Sequence, residues 1–269
     1  MSHPEEKVDD AVAQLMRDVA ARDADSYLRE YLLPRWRQVA GDEQEGWEIH
    51  LSRFAPALRL VLREYAFGHR RFARLGASVA AEEAIRWVER RGVREFLDER
   101  ASEPFWKRFV DALPPRGKKS SDQLEGLMRG LLEWNFETYG TRGEEGLVAW
   151  VLAEIRETGR LEHVHQLLRE IPGFGPKAAS RLLRDLVLVF DLEEGVHPAD
   201  RYLLQTVGGA IRKAAARILP GVGVRQAVPD WVMAGKISKA CRLVGVSGAR
   251  FNAGAEWHYG ISTGQKSED

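Results

Sequence analysis

Apolar side chains recur at three- and four-residue spacing along nearly the whole chain, and that period leaves little room for anything but helices. Segments 8–22, 25–39, 50–66, 78–98, 103–112, 121–138, 145–158 and 161–169 all carry it. In 145–158, Leu147, Val148, Val151, Leu152 and Ile155 fall on one face. Period-two alternation bounded by turn residues is absent, so no sheet is expected. Val187-Leu188-Val189-Phe190 could form a short strand, but it continues a helical pattern. The expected fold class is all-α.

A chain of 269 residues can bury a real core as one large domain or two small ones. Pro114-Pro115-Arg116-Gly117-Lys118-Lys119-Ser120-Ser121 breaks the helices on either side. The expected division is an N-terminal helical region, 1–115, and a second helical region, 116–269. No apolar run approaches the roughly 20 residues of a membrane-spanning helix. The opening MSHPEEKVDD lacks the apolar core of a signal peptide. A cytoplasmic location (nucleoid-associated if the source is prokaryotic) and no membrane partner are therefore expected. Cys241 is the only cysteine, which excludes an internal disulfide, a thiolate-ligated cluster and a multi-cysteine zinc site. The seven histidines show no HExxH-type spacing. No metal and no cofactor are expected.

Forty acidic and forty basic residues cancel, so global charge announces no partner. The distribution is uneven. Residues 1–50 hold 12 acidic and 6 basic side chains, whereas residues 171–269 hold 9 acidic and 13 basic. A phosphate backbone docks where local charge permits.

Chemistry concentrates in residues 171–200. Leu161–Glu170 reads as a helix that Pro172 stops. Gly173 and Gly175 permit a tight turn with positive φ. Pro176 suits the first position of a second helix. There Ala179, Leu182, Leu183, Leu186, Val187 and Phe190 form a core-facing stripe, with Lys177, Arg181 and Arg184 on the opposite face. Exposed N–H groups at such a helix start can hold a phosphate without reading bases. An ordinary corner between two helices would look similar, but a lysine two residues after the second glycine favours the phosphate grip. Lys177 is either a plain surface lysine or an amine whose pKa the helix dipole, desolvation and Arg181 lower, able to attack a sugar C1′. Asp200, in His197-Pro198-Ala199-Asp200, reads as the N-cap of a helix Arg201–Val207. It also reads as a carboxylate that stabilises positive charge at an anomeric carbon and accepts a proton from the lysine. The two roles are compatible.

These residues resemble the helix-hairpin-helix/Gly-Pro-Asp superfamily of base-excision DNA glycosylases. The likeness is clear from about Leu167 to Val207 and looser from Ser120 to Tyr259. It implies two α-helical subdomains, with the hairpin at the mouth of the cleft between them. It identifies Lys177 with the Schiff-base lysine, Asp200 with the catalytic aspartate, and Gly173, Phe174 and Gly175 with the hairpin that grips DNA backbone. The lysine implies a DNA glycosylase with AP-lyase activity on a flipped damaged or modified base in double-stranded DNA. Without a cysteine cluster, the chain is most similar to the 8-oxoguanine branch. A monomer is expected.

Further candidates are weaker. Arg181, Lys118 and Lys119 are placed on the DNA backbone, although a basic loop is commonly just solvated. The resemblance implies that a polar residue near Trp134-Asn135-Phe136 fills the void left by a flipped base, which makes Asn135 the candidate; as a plain helical asparagine it faces solvent. Phe251, Asn252 and Trp257 line a base pocket, or the two aromatic residues pack in the core. Two other functions stay open. One is a monofunctional glycosylase in which Asp200 activates water. The other is a non-catalytic helix-hairpin-helix DNA-binding protein.

Overall fold

The computed structural model describes residues 8–40, 46–66, 146–171, 174–219 and 228–262, together with scattered positions between 82 and 130. The fold is all-α, and no strand occurs among the described residues. None of their helices is long and apolar enough to cross a membrane. The chain divides into two compact units that alternate along the sequence.

Unit 1 comprises Met1–Pro34, Thr158–Glu162 and Leu183–Asp269. Its core collects Met16, Val19, Ile211, Ala215, Met233, Ile237 and Phe251. Helix Gly248–Glu256 carries Phe251 into this core. Gly254 on the same helix must be glycine, because a Cβ there would lie 2.1 Å from the Val19 carbonyl oxygen and 2.9 Å from Ala24 N. The segment it meets, Val19–Asp23, is π-helical. π-Turns leave irregular carbonyls, and Arg250 donates to two of them, Ala20 O at 2.9 Å and Ala21 O at 3.4 Å, while pairing with Asp25.

Unit 2 comprises Arg35–Glu157 and His163–Leu182. Trp36, Leu60 and Val61 are buried here, as are Val148, Val151 and Ile155 of helix Leu147–Thr158. Gly146 N donates to Ser52 O at 2.8 Å, and a Cβ on Gly146 would sit 2.9 Å from that of Ala57. The helix start is thereby seated against Phe54–Leu60.

Of the core stripe read on the helix Pro176–Val189, Ala179, Leu182, Leu183, Leu186 and Val187 are buried, whereas Phe190, just past the helix end, is half-buried. Val187–Val189 is helical, not a strand.

Candidate functional site

Asp200 sits in a 3₁₀ helix, Pro198–Leu204, within unit 1. That element is pinned to the short segment 158–162. Gly159 adopts φ +65°, and a Cβ on it would lie 2.5 Å from Gly195 O. His197 N donates to Gly159 O at 2.8 Å. With the two backbones this close, the Asp200 carboxylate reaches the start of helix Glu162–Glu170. Its Oδ2 accepts from Leu161 N at 2.9 Å, Glu162 N at 3.4 Å and Arg160 Nε at 2.8 Å. Asp200 therefore caps a helix, but one that begins 38 residues earlier in sequence rather than its own. The cap of its own element is His197, whose Nδ1 accepts from Ala199 N at 3.3 Å. The expected α-helix Arg201–Val207 is corrected as well: the 3₁₀ turn ends at Leu204 and extended backbone follows at Gln205.

Asp200 is only 3% exposed. Burial alone would push its carboxyl up. The Arg160 hydrogen bond, those from the two backbone N–H groups and the guanidinium charge outweigh that effect and hold it below the usual carboxylate range. A buried carboxylate is thus kept ionised.

Lys177 belongs to unit 2 and Asp200 to unit 1. Lys177 is exposed, at the second residue of helix Pro176–Val189. Gly175 is exposed and its carbonyl accepts from Ala179 N at 3.1 Å, which makes it the residue before the helix. Its φ is not positive, and a Cβ there would meet nothing within 4 Å. The special backbone freedom expected of Gly175 is therefore not used. Phe174 is buried and its N–H donates to Ile171 O at 3.0 Å, so this residue anchors the turn from inside. Pro172, Gly173, Lys118, Lys119 and Asn135 lie outside the described residues.

Within unit 2, His165 ties the two helices flanking this turn. Its Nε2 lies 3.2 Å from Ser180 Oγ and 3.4 Å from Pro176 O. Burial lowers the His165 pKa and the charge of Arg169 lowers it further, against the opposing effect of the Pro176 carbonyl. This imidazole is neutral at neutral pH.

The main departure from the helical-wheel reading is Arg184. It is fully buried, not solvent-facing. Its Nε and Nη2 donate to Asp185 Oδ1 at 2.9 and 2.7 Å, and Nη2 donates to Tyr27 Oη at 2.6 Å. Nη1 donates to Glu256 Oε2 and Asn252 Oδ1, each at 2.8 Å. The guanidinium also lies 4.9 Å from the Tyr27 ring centroid. Asn252, a base-pocket candidate, is fully buried in this network. Its Oδ1 also accepts from Thr206 Oγ1 at 2.8 Å, and its Nδ2 donates to Gln205 Oε1 at 3.0 Å. Phe251 is a core residue of unit 1. Trp257 is half-buried and opens the π-helical stretch Trp257–Ile261. Arg181 is half-buried.

Arg160, Gly159, Arg184 and Asp185 were not singled out from sequence as site residues. A glycine after helix 145–158 was the only local signal for the first pair. Among the described residues, no group of three His, Cys, Asp or Glu side chains is placed to hold a metal ion. No model of a known protein family matches the chain. No curated protein matches it, and no solved structure does.

Proposed function

We propose that the chain is a DNA glycosylase with AP-lyase activity. The observation that carries this reading is the buried, ionised Asp200 in a sequence whose Lys177 stands exposed in the first turn of a helix. A carboxylate held ionised without solvent stabilises the oxocarbenium-like charge that grows at C1′ as a glycosidic bond breaks. Lys177 gives up a proton and its amine attacks C1′, and the bonding electrons leave with the base, which takes up a proton. The C1′–O4′ bond then breaks, O4′ takes up a proton and C1′ forms an iminium with the lysine nitrogen; this acidifies the C2′ proton, whose removal expels the 3′ phosphate. The start of helix Pro176–Val189 supplies N–H groups for a backbone phosphate.

One observation favours a second reading. All three bonds accepted by Asp200 serve to anchor the segment 158–162. The architecture alone accounts for that residue, as in a DNA-binding protein without chemistry.

Borohydride trapping separates these readings. The protein is incubated with duplexes bearing 8-oxoguanine, uracil, an alkylated base or an abasic site, and borohydride is added. A covalent adduct that disappears in Lys177→Gln is the expected result. Base release without an adduct assigns a monofunctional enzyme in which Asp200 activates water. Binding with neither adduct nor release assigns the non-catalytic module.

A further inference from the structure

We infer that unit 1 carries a second nucleic-acid site, a groove along helix Asp230–Val244 that takes a single strand by stacking a base on Trp231. The inference uses neither Lys177 nor Asp200 and shares with the proposed function only the class of polymer. The groove has a volume of about 1160 Å³. Trp231 is 72% exposed on one wall, far from the usual fate of so large an apolar ring. Gly235, Lys239 and Arg242 follow it at four-, eight- and eleven-residue spacing and line the same groove, with Lys236 beside them. From Trp231 to Arg242 this stripe runs about 16 Å along the helix axis.

Charge and glycine placement choose the occupant. Arg201, Lys236, Lys239 and Arg242 line the groove against Asp191 and Glu194. The other charged liners are Glu193, which accepts from Ser247 Oγ and Ala249 N, and Arg250, which pairs with Asp25; Arg201 also donates to Val196 O at 3.2 Å, and cations outnumber carboxylates five to three along the groove. The wall is therefore cationic beside an open aromatic ring. Gly235 lies inside the helix, where glycine costs about 1 kcal/mol relative to alanine. Among the described residues nothing outside its own helix requires it, because a Cβ there would meet none of their atoms within 4 Å. A bare backbone one turn from Trp231 clears the approach to the ring face. An aromatic platform followed by cations at backbone reach is how unpaired strands are held without sequence readout. Duplex bases are stacked on each other and cannot use the ring.

The test uses the full chain and a fluorescein-labelled dT12 strand, with binding followed by anisotropy. Trp231→Ala is expected to weaken binding about 5- to 150-fold. Gly235→Gln is expected to weaken it at least tenfold while the melting temperature holds or rises. Joint alanine substitution of Lys236, Lys239 and Arg242 is expected to flatten the plot of log affinity against log salt by about 2. Binding by Trp231→Ala and Gly235→Gln within twofold of the parent overturns the inference. So does an acidic peptide that displaces dT12 as well as unlabelled dT12 does. Borohydride trapping on an abasic duplex runs in parallel. Trapping without dT12 binding removes the groove and leaves the lyase reading standing; dT12 binding without trapping does the reverse.

Discussion

Asp200 shows how far a residue's role can be read from its neighbours in sequence. Its position after Pro198 marks it as a capping carboxylate, and it does cap. Which helix it caps is set by Gly159 and Arg160, 40 residues earlier, and no local pattern reports that contact. Arg184 departs from its helical spacing for the same reason. A helical wheel places it beside Lys177 and Arg181, but Tyr27, Asp185, Asn252 and Glu256 surround it with acceptors that only the tertiary fold assembles. The Asp200 contacts also have a pH signature. Its folded carboxyl titrates below its unfolded value, near 3.9, so these bonds stabilise the fold fully above that value. Their contribution is lost as pH falls through the lower, folded value. Solvent screens much of the Arg160 pair, since that side chain is 48% exposed. Asp200→Asn should therefore cost about 1–2 kcal/mol at pH 7, chiefly through the N–H bonds. Urea denaturation at pH 7 and pH 3 checks this, because the gap between variant and parent must narrow at the lower pH. An equal gap at both would show that the charge of Asp200 does not support the fold.

At the level of elements, helix positions were legible and helix types were not. Periodicity over 145–158 and 161–169 corresponds to Leu147–Thr158 and Glu162–Glu170 within a residue or two. A stripe of buried side chains dictates those helices, and the stripe is visible in the sequence. The π-helical stretches Val19–Asp23 and Tyr27–Leu32 carry no such mark. Each stretch is only five or six residues long, too short for the apolar period to register the extra residue taken into a turn. The contact that accompanies the first stretch comes from helix Gly248–Glu256, more than 220 residues later. Gly254 is its point of closest approach, and it offers a direct test. Gly254→Ala drives a Cβ into the Val19 carbonyl and must push the helix away from the core built on Phe251. A loss of about 1–3 kcal/mol is expected, the usual cost of overfilling a packed site. That loss runs against the intrinsic gain of alanine over glycine in a helix. A thermal melt at or above the parent value would mean that the two backbones can separate at no cost.

For the whole molecule, charge is the quantity that bears on DNA. Net charge is zero, so any attraction to a phosphate backbone has to come from a few cations placed together. The excess of basic residues over 171–269 and of acidic residues over 1–50 was legible in the sequence. Which cations remain available was not, because burial removes Arg184 and ion pairing occupies Arg250. Lys177 is exposed at a helix start, where a duplex phosphate would also meet backbone N–H groups. If that phosphate is held there, Lys177→Gln must do two separable things. It removes the borohydride adduct, and it lowers the salt dependence of binding to an undamaged duplex by about 0.9, the slope lost with one phosphate contact. Filter binding over a range of salt concentrations reads the second effect without any chemistry. An unchanged slope together with a lost adduct would make Lys177 a nucleophile that carries no backbone contact. A reduced slope with the adduct retained would assign the lysine to the backbone and require another amine for the lyase step.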